Sequence, residues 1–181
     1  IIPHLNMPEM LMRCLDSVTS QHLDHGLIEI IVVDNGSHVA LDSVSAAYPQ
    51  VTILHEPKPG PGLARNRGIA AANAPVLAFI DADCRAAPGW LAAAVEAVEP
   101  MPNTTVVGGD VRIDFTDPKH LTPIEAYEAV FAFRQQFYIK TRHFSGTGNL
   151  AMGAAVHKQV GAFAGIEIAE DMDWGQRAHR M

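Results

Sequence analysis

Two aspartates one residue apart, Asp81-Ala82-Asp83, follow directly on the apolar run 76–80. If that run is a strand, both carboxylates emerge on the same side of the chain at its end, because alternate residues of an extended chain share a face. Hard divalent cations prefer oxygen ligands, and Mg²⁺ in particular is held by one or two carboxylates together with substrate phosphates. The pair therefore reads as a metal site that works with a phosphorylated substrate. The plainer reading is a strand end whose acids cap or solvate a turn.

Three further groups could carry chemistry. Glu170-Asp171, with Asp173 following, opens a helix predicted over 171–180. Acids in a first helical turn complement the helix dipole, worth a few tenths to about 1 kcal/mol each. Beside a metal in a partly buried site, one of them could instead act as a general base. Asp34-Asn35-Gly36-Ser37 is a turn signal, and an Asp at such a strand end can also accept a hydrogen from a base or ribose. The stretch Gly60-Pro61-Gly62-Leu63-Ala64-Arg65-Asn66-Arg67-Gly68 is a loop running into a helix with two arginines, which suits anions. Alternatively, those arginines are a solvated helix face, with Gly68 permitting close packing.

These residues need elements to position them. Residues 28–33 are apolar and β-branched except for Glu29 and read as a central parallel strand buried on both faces; 51–54 and 76–80 repeat the pattern. Helices are predicted over 7–21, with Asn6 as N-cap and Pro8 in the first turn, and over 41–48 and 63–73. This alternation specifies an α/β layer fold with right-handed crossovers and brings Pro3 to Asn6, Asp34 and Asp81 to one edge of the sheet, where ligands bind. Further on the alternation breaks: a helix over 88–99, a strand over 106–115, a long helix over 123–140, a Gly-rich strand and loop over 144–152, and the last helix. The long helix reads as core; its aromatic residues, ending near Lys140, Arg142 and His143, leave an acceptor or membrane-surface face as the alternative.

The chain of 181 residues, 48% of them hydrophobic, suits one domain, with a nucleotide-binding half over 1–100 and an acceptor-side half over 101–181. Its net charge of −7 argues against a nucleic-acid partner, which would need a basic stripe. Cys14 and Cys84 have no metal or redox spacing, so a reduced cytoplasmic chain is expected, open to peripheral contact at the inner face of a membrane. The sequence starts in a strand pattern and stops in a helical one, so both ends are expected to be truncated.

Taken in order, these segments resemble the inverting family 2 glycosyltransferases of the GT-A fold. Ile1 to Asn6 (IIPHLN) is similar to that family's opening I-I-P-x-Y-N, and Ile30 to Ser37 (IIVVDNGS) to its I-V-V-D-D-G-S. Ala64-Arg65-Asn66-Arg67-Gly68 is similar to A-R-N-x-G, and Phe79 to Asp83 (FIDAD) to F-L-D-A-D. Gly161-Ala162-Phe163 and Glu170 to Asp173 (EDMD) are similar to its late G-G-F and E-D-x-D. The resemblance implies a mostly parallel central sheet flanked by helices, with a Rossmann-like first half. It implies that Pro3 and its neighbours to Asn6 line a nucleobase pocket, that Asp34 hydrogen-bonds the base, and that Arg65 lies near base and phosphates. Asp81 would reach the ribose or a metal-bound water, and Asp83 would ligate Mn²⁺ or Mg²⁺ on the diphosphate. Asp171 would be the base, supported by Glu170, and the loop Gly146-Thr147-Gly148-Asn149 would lie under sugar and acceptor. The implied donor is a nucleoside-diphosphate sugar, UDP-sugar above others, and the acceptor a saccharide or lipid-linked hydroxyl.

Leu5 departs from the family's Tyr, Asn35 from its second Asp, and Gly153-Ala154 from a basic pair; no Q-x-x-R-W segment occurs before Met181. A phosphatase would place its D-x-D after the first strand rather than the fourth. A sugar-nucleotide nucleotidyltransferase would want a Gly-rich basic loop where Met7-Pro8-Glu9 stands. A non-catalytic nucleotide-sugar-binding domain would need none of Asp34, Asp83 and Asp171 together.

Overall fold

The computed structural model describes residues 1–24, 27–115 and 117–181. Its elements in chain order are β1 (Ile2–His4), α1 (Pro8–Thr19), β2 (Ile31–Asp34), α2 (Asp42–Ala47), β3 (Thr52–His55), α3 (Pro61–Ala71) and β4 (Val76–Ile80). They continue with α4 (Trp90–Val98), β5 (Val106–Gly108), α5 (Pro123–Phe131), α6 (Gln135–Arg142), β6 (Asn149–Gly153), α7 (Ala154–Val160) and α8 (Glu170–His179).

β2 pairs in parallel with β1 on one side and β3 on the other. Ile1 joins this half to the next: its N–H donates to Ala78 O at 2.8 Å and its carbonyl accepts from Ile80 N at 3.3 Å, the pattern of a parallel pair. β6 pairs antiparallel with β4 and β5, so the strands run β3-β2-β1-β4-β6-β5 with β6 reversed. The sheet is thus mostly parallel, as the alternating half of the sequence requires.

The central strand β2 is buried on both faces. Val32 joins Ile2 and Ile80 against Leu11, Cys14, Leu15 and Val18 of α1, while Ile31 and Val33 pack on Ala64 of α3. That is why residues 31–33 are an unbroken apolar run. Gly68 lets α3 lie close: a Cβ there would come within 2.5 Å of Ile1 Cγ2.

Several boundaries differ from the sequence expectation. The ladder of β2 begins at Ile31 rather than 28, and β5 covers three residues rather than 106–115. Asn6 is not the cap of α1: Met7 occupies that position without a side-chain cap. Asn6 takes a left-handed φ of 55° instead, with its N–H donating to Ser37 Oγ at 2.8 Å and its Oδ1 accepting from His38 N at 2.9 Å. The predicted helix over 123–140 is two helices, broken at Phe133 with φ 49°. Nor is it simple core, since α5 buries no residue. What holds α5 is local: Pro123 in its first turn and a capping box in which Thr122 Oγ1 accepts from Glu125 N and Glu125 Oε2 accepts from Thr122 N. No helix among the described residues is long and apolar enough to cross a membrane.

Candidate active site

Arg65 is the centre of the charged cluster. It sits on α3 with its side chain only 4% exposed, donating from Nη2 to Asp81 Oδ1 at 2.8 Å and from Nη1 to Glu170 Oε1 at 2.9 Å. Its Nε–H is buried without a partner among the described residues. One guanidinium thus ties the end of β4 to the start of α8, although Asp81 and Glu170 are far apart in sequence. By contrast Arg67 is exposed.

The reversed direction of β6 completes this corner. Ile80 pairs with Asn149, so the residues before Asn149 arrive beside Asp81. Gly148 lies so close that a Cβ would meet Asp81 Oδ2 at 2.7 Å. Gly148→Ala is expected to push the carboxylate off its place and cut turnover by roughly a hundred-fold, the scale of an ångström misplacement. Steady-state rates beside a thermal melt would test this, and an unchanged rate would remove Gly148 from the site. The Asn149 amide is engaged at both ends: Oδ1 accepts from Trp90 Nε1 at 2.8 Å and Nδ2 donates to Asp110 O at 2.8 Å. Its side chain therefore anchors α4 and the segment after β5.

Asp171 follows Glu170 in the first turn of α8. Burial pushes its carboxyl above the ordinary aspartate range; the neighbouring Glu170 charge adds to this, while the Met172 N–H bond at 2.7 Å and Arg65 oppose it. Trp174, one turn on, fixes the helix: it is 1% exposed, stacks on Phe163 at 5.0 Å, and donates from Nε1 to Gly161 O at 2.9 Å.

Asp83 is exposed, with only the weak Cys84 thiol on its Oδ1, at 3.7 Å, among the described residues. Both cysteines are free, and Cys14 Sγ donates to Asp81 O at 3.6 Å under the same turn. Among the described residues no three His, Cys, Asp or Glu side chains gather into a cation cage. The donor set is two carboxylates, all oxygen, one with an atom already given to Arg65. This fits a hard divalent cation that takes most of its ligands from phosphate and water.

At the other end of the sheet edge Asp34 stands beside a cavity of about 480 Å³ lined by Ser37, His38, Leu41, Leu54 and His55. Burial works against its charge, yet hydrogen bonds from Ser37, His4 and His55 hold its carboxyl below the ordinary range. His4, whose side chain is fully buried, accepts from Met7 N at Nε2, so its ring proton is on Nδ1 and donates to Asp34 Oδ1 at 3.2 Å. A carboxylate has about four acceptor sites, and the bonds from His4, His55 and both the backbone N–H and the side chain of Ser37 occupy them. Pro3 lies in β1 opposite Val33, and Leu5 is exposed at the strand end. His55 escaped the sequence reading, and His4 entered it only as a neighbour of Pro3, although an inward-facing histidine two residues after the buried Ile2 was a usable signal.

Asn35, the departure from a second Asp, is buried and saturated. Its Nδ2 donates to Glu56 O at 3.0 Å and Lys58 O at 2.7 Å, and its Oδ1 accepts from Gly60 N at 2.8 Å. It holds the chain that leads into α3 and hence to Arg65. Asn35→Ala should cost about 2 kcal/mol by stranding these groups, a fall of about 4–8 °C in Tm for a chain this size. A melt within a degree of wild type would contradict that role.

The family described as glycosyl transferase family 2 matches residues 1–160. The chain belongs to that family. It is 34% identical over 184 residues to glycosyltransferase AglE of Haloferax volcanii, covering 98% of this chain and 60% of that protein. Among solved structures it resembles the mannosyltransferase PcManGT of Pyrobaculum calidifontis in complex with GDP-Man and Mn²⁺, with TM-score 0.68 and 20% identity over 95% of this chain and 48% of that one. It also resembles S. aureus TarS 1-349 in complex with UDP, with TM-score 0.72 and 17% identity over 98% of this chain and 53% of that one. At those identities the solved structures speak for the fold, which is GT-A. The family 2 chain spans about 60% of AglE and about half of these structural neighbours.

Proposed function

We propose that the protein transfers a sugar from a nucleoside-diphosphate sugar to an acceptor hydroxyl with inversion at the sugar carbon, with Asp171 as general base and Mn²⁺ or Mg²⁺ held by Asp83 and Asp81. The observation that carries this reading is the Arg65 bridge, which joins the strand-end carboxylate Asp81 to the helix that begins Glu170-Asp171. A donor-binding edge and a candidate base are thereby held in one charge network.

Each residue then has a task. Asp34 offers a carboxylate oxygen to a base N–H, which takes the place of the exposed His55 ring, at a cavity of a size to take a nucleobase. Asp83 presents an open carboxylate, and Asp81 presents Oδ2, the oxygen that Arg65 leaves free. A divalent cation bound there would supply Lewis-acid stabilisation of the leaving diphosphate. Asp171 takes the acceptor hydroxyl proton as the new bond forms on the opposite face, and its raised pKa brings it closer to the range useful for proton transfer. Glu170, pinned by Arg65, keeps Asp171 in place. The bound nucleotides of the two structural neighbours, GDP-Man and UDP, support a nucleoside-diphosphate donor; UDP-sugar is the first to test.

The test is a panel of UDP-, GDP- and dTDP-sugars scored for metal-dependent nucleotide release. Asp83→Ala is expected to lower release by roughly a hundred-fold or more, with a higher metal requirement. The reading fails if no donor binds with any metal, or if Asp83→Ala and Asp171→Ala both turn over like wild type.

A further inference from the structure

His4, Asp34 and His55 stand in one row across neighbouring strands. His4 pairs with Asp34 in the register of β1 and β2, and Asp34 with His55 in that of β2 and β3. Residues directly opposite each other in a sheet share a face, so the carboxylate has an imidazole on either side of it. The two rings hold it very differently. His4 is locked: its side chain is fully buried, its Nε2 accepts from Met7 N, and its Nδ1 is spent on Asp34 Oδ1. His55 is not. Its side chain is 62% exposed, its Nδ1 reaches Asp34 Oδ2 at 3.4 Å, and its ring makes no other hydrogen bond among the described residues. With Ser37 also on Asp34, a ligand N–H arriving through the cavity has to displace one partner, and His55 is the one that solvent can take over.

Charge makes that displacement depend on pH. Imidazole changes charge between about pH 5 and 8. A neutral ring gives Asp34 one long hydrogen bond, whereas an imidazolium adds an ion pair that the ligand must break. Asp34 stays ionised through this range, because its carboxyl is held below the ordinary aspartate range. The titratable side chains lining the cavity are Asp34, His38 and His55. On the same face of the sheet, Glu9, Arg13 and Asp16 of α1 and Asp42 of α2 are exposed and do not line it. Beyond His55 on its own strand, Glu56 turns back to Lys58 N at 3.0 Å. α3 packs on the other face, against Leu54; its Arg65 is engaged by Asp81 and Glu170, and its Arg67 is exposed.

We propose that His55 is a proton-operated stopper at the nucleobase end of the donor site: it fills the base's place on Asp34 in the free protein and, once protonated, holds that place against the donor. This rests on the donor reading of that edge. Donor affinity is then full above the histidine range and falls as pH is lowered through it. Proton transfer at Asp171 is a separate event, which binding without acceptor does not involve.

The experiment is calorimetric binding of UDP-glucose and of GDP-mannose, each with Mg²⁺ and without acceptor, from about pH 8 down to about pH 5. The diphosphate of such a donor is fully ionised throughout. The probe that binds at the alkaline end should bind wild type about five-fold more weakly at the acid end, the upper range for an ion pair with one exposed partner. His55→Ala should bind it at least as tightly as wild type does at the alkaline end, and keep that affinity across the range. His55→Gln, which keeps a side-chain donor but has no proton to titrate, should also be flat, while His38→Gln should retain the wild-type slope. A pH-independent affinity in wild type, an undiminished slope in His55→Ala, or loss of the slope in His38→Gln overturns the stopper and leaves the donor reading standing. If neither probe binds at any pH, the donor reading of this edge fails and the stopper fails with it.

Discussion

Arg65→Leu is expected to lower turnover by at least roughly a hundred-fold, the scale of a lost positioning contact, and to cost about 3 kcal/mol, since it leaves two partly buried carboxylates without their counter-charge. The figure is the lower end for a broken buried pair because the Asp81 side chain is 39% exposed and water can serve it. Glu170, at 18%, is less well served. In a chain of this size that is a fall of about 6–12 °C in Tm. Arg65→Lys separates charge from geometry: an ammonium keeps the charge but lacks the planar fork that reaches both acids at once. It should recover much of the stability and little of the rate. Wild-type turnover in either variant would show that the bridge does not organise the site.

Asp171→Asn should show the opposite signature, with turnover lost by about 10²–10⁴-fold, the range for a general base, and stability unchanged or higher. The reason is burial. A carboxyl whose folded pKa lies above its unfolded one is penalised when ionised, so the folded state loses stability as pH rises through that raised pKa. Asparagine escapes the penalty and can still accept the Met172 N–H. The same shift sets the acid limb of the rate: activity should rise with pH through a value above the ordinary aspartate range and then level off. The limb should vanish from the residual rate of the variant. A rate limb at the unshifted aspartate value, or a variant melting several degrees lower, would argue that Asp171 is a structural acid.

Much of this site was readable because its residues sit where a parallel strand must end. Asp81 follows β4 at the predicted boundary, and Asp34 ends β2, one residue beyond the predicted run. Local apolar runs bounded by acids are enough for that. What could not be read depends on contacts between distant residues. Arg65 reads as an anion-binding side chain on a helix, yet it is buried between acids from β4 and α8. The bonds of the Asn149 amide to Trp90 and to Asp110 O appear only once the fold brings those residues together. The break at Phe133 has no Gly or Pro to announce it. It turns α6 so that Gln135 can reach Ser145 and Gly146, a requirement set by the neighbouring loop.

Next to Arg65 on the same helix, Asn66 grips the backbone of Phe163 twice, donating to its carbonyl at 2.8 Å and accepting from its N–H at 2.9 Å. Adjacent residues of α3 therefore pin both ends of the stretch from Phe163 to Glu170. Trp174 of α8 stacks on Phe163 as well, so the stretch is a closed loop whose two ends and following helix are all anchored. A residue added or removed there has to be absorbed between Phe163 and Glu170, or the strain passes through Arg65 to Asp81.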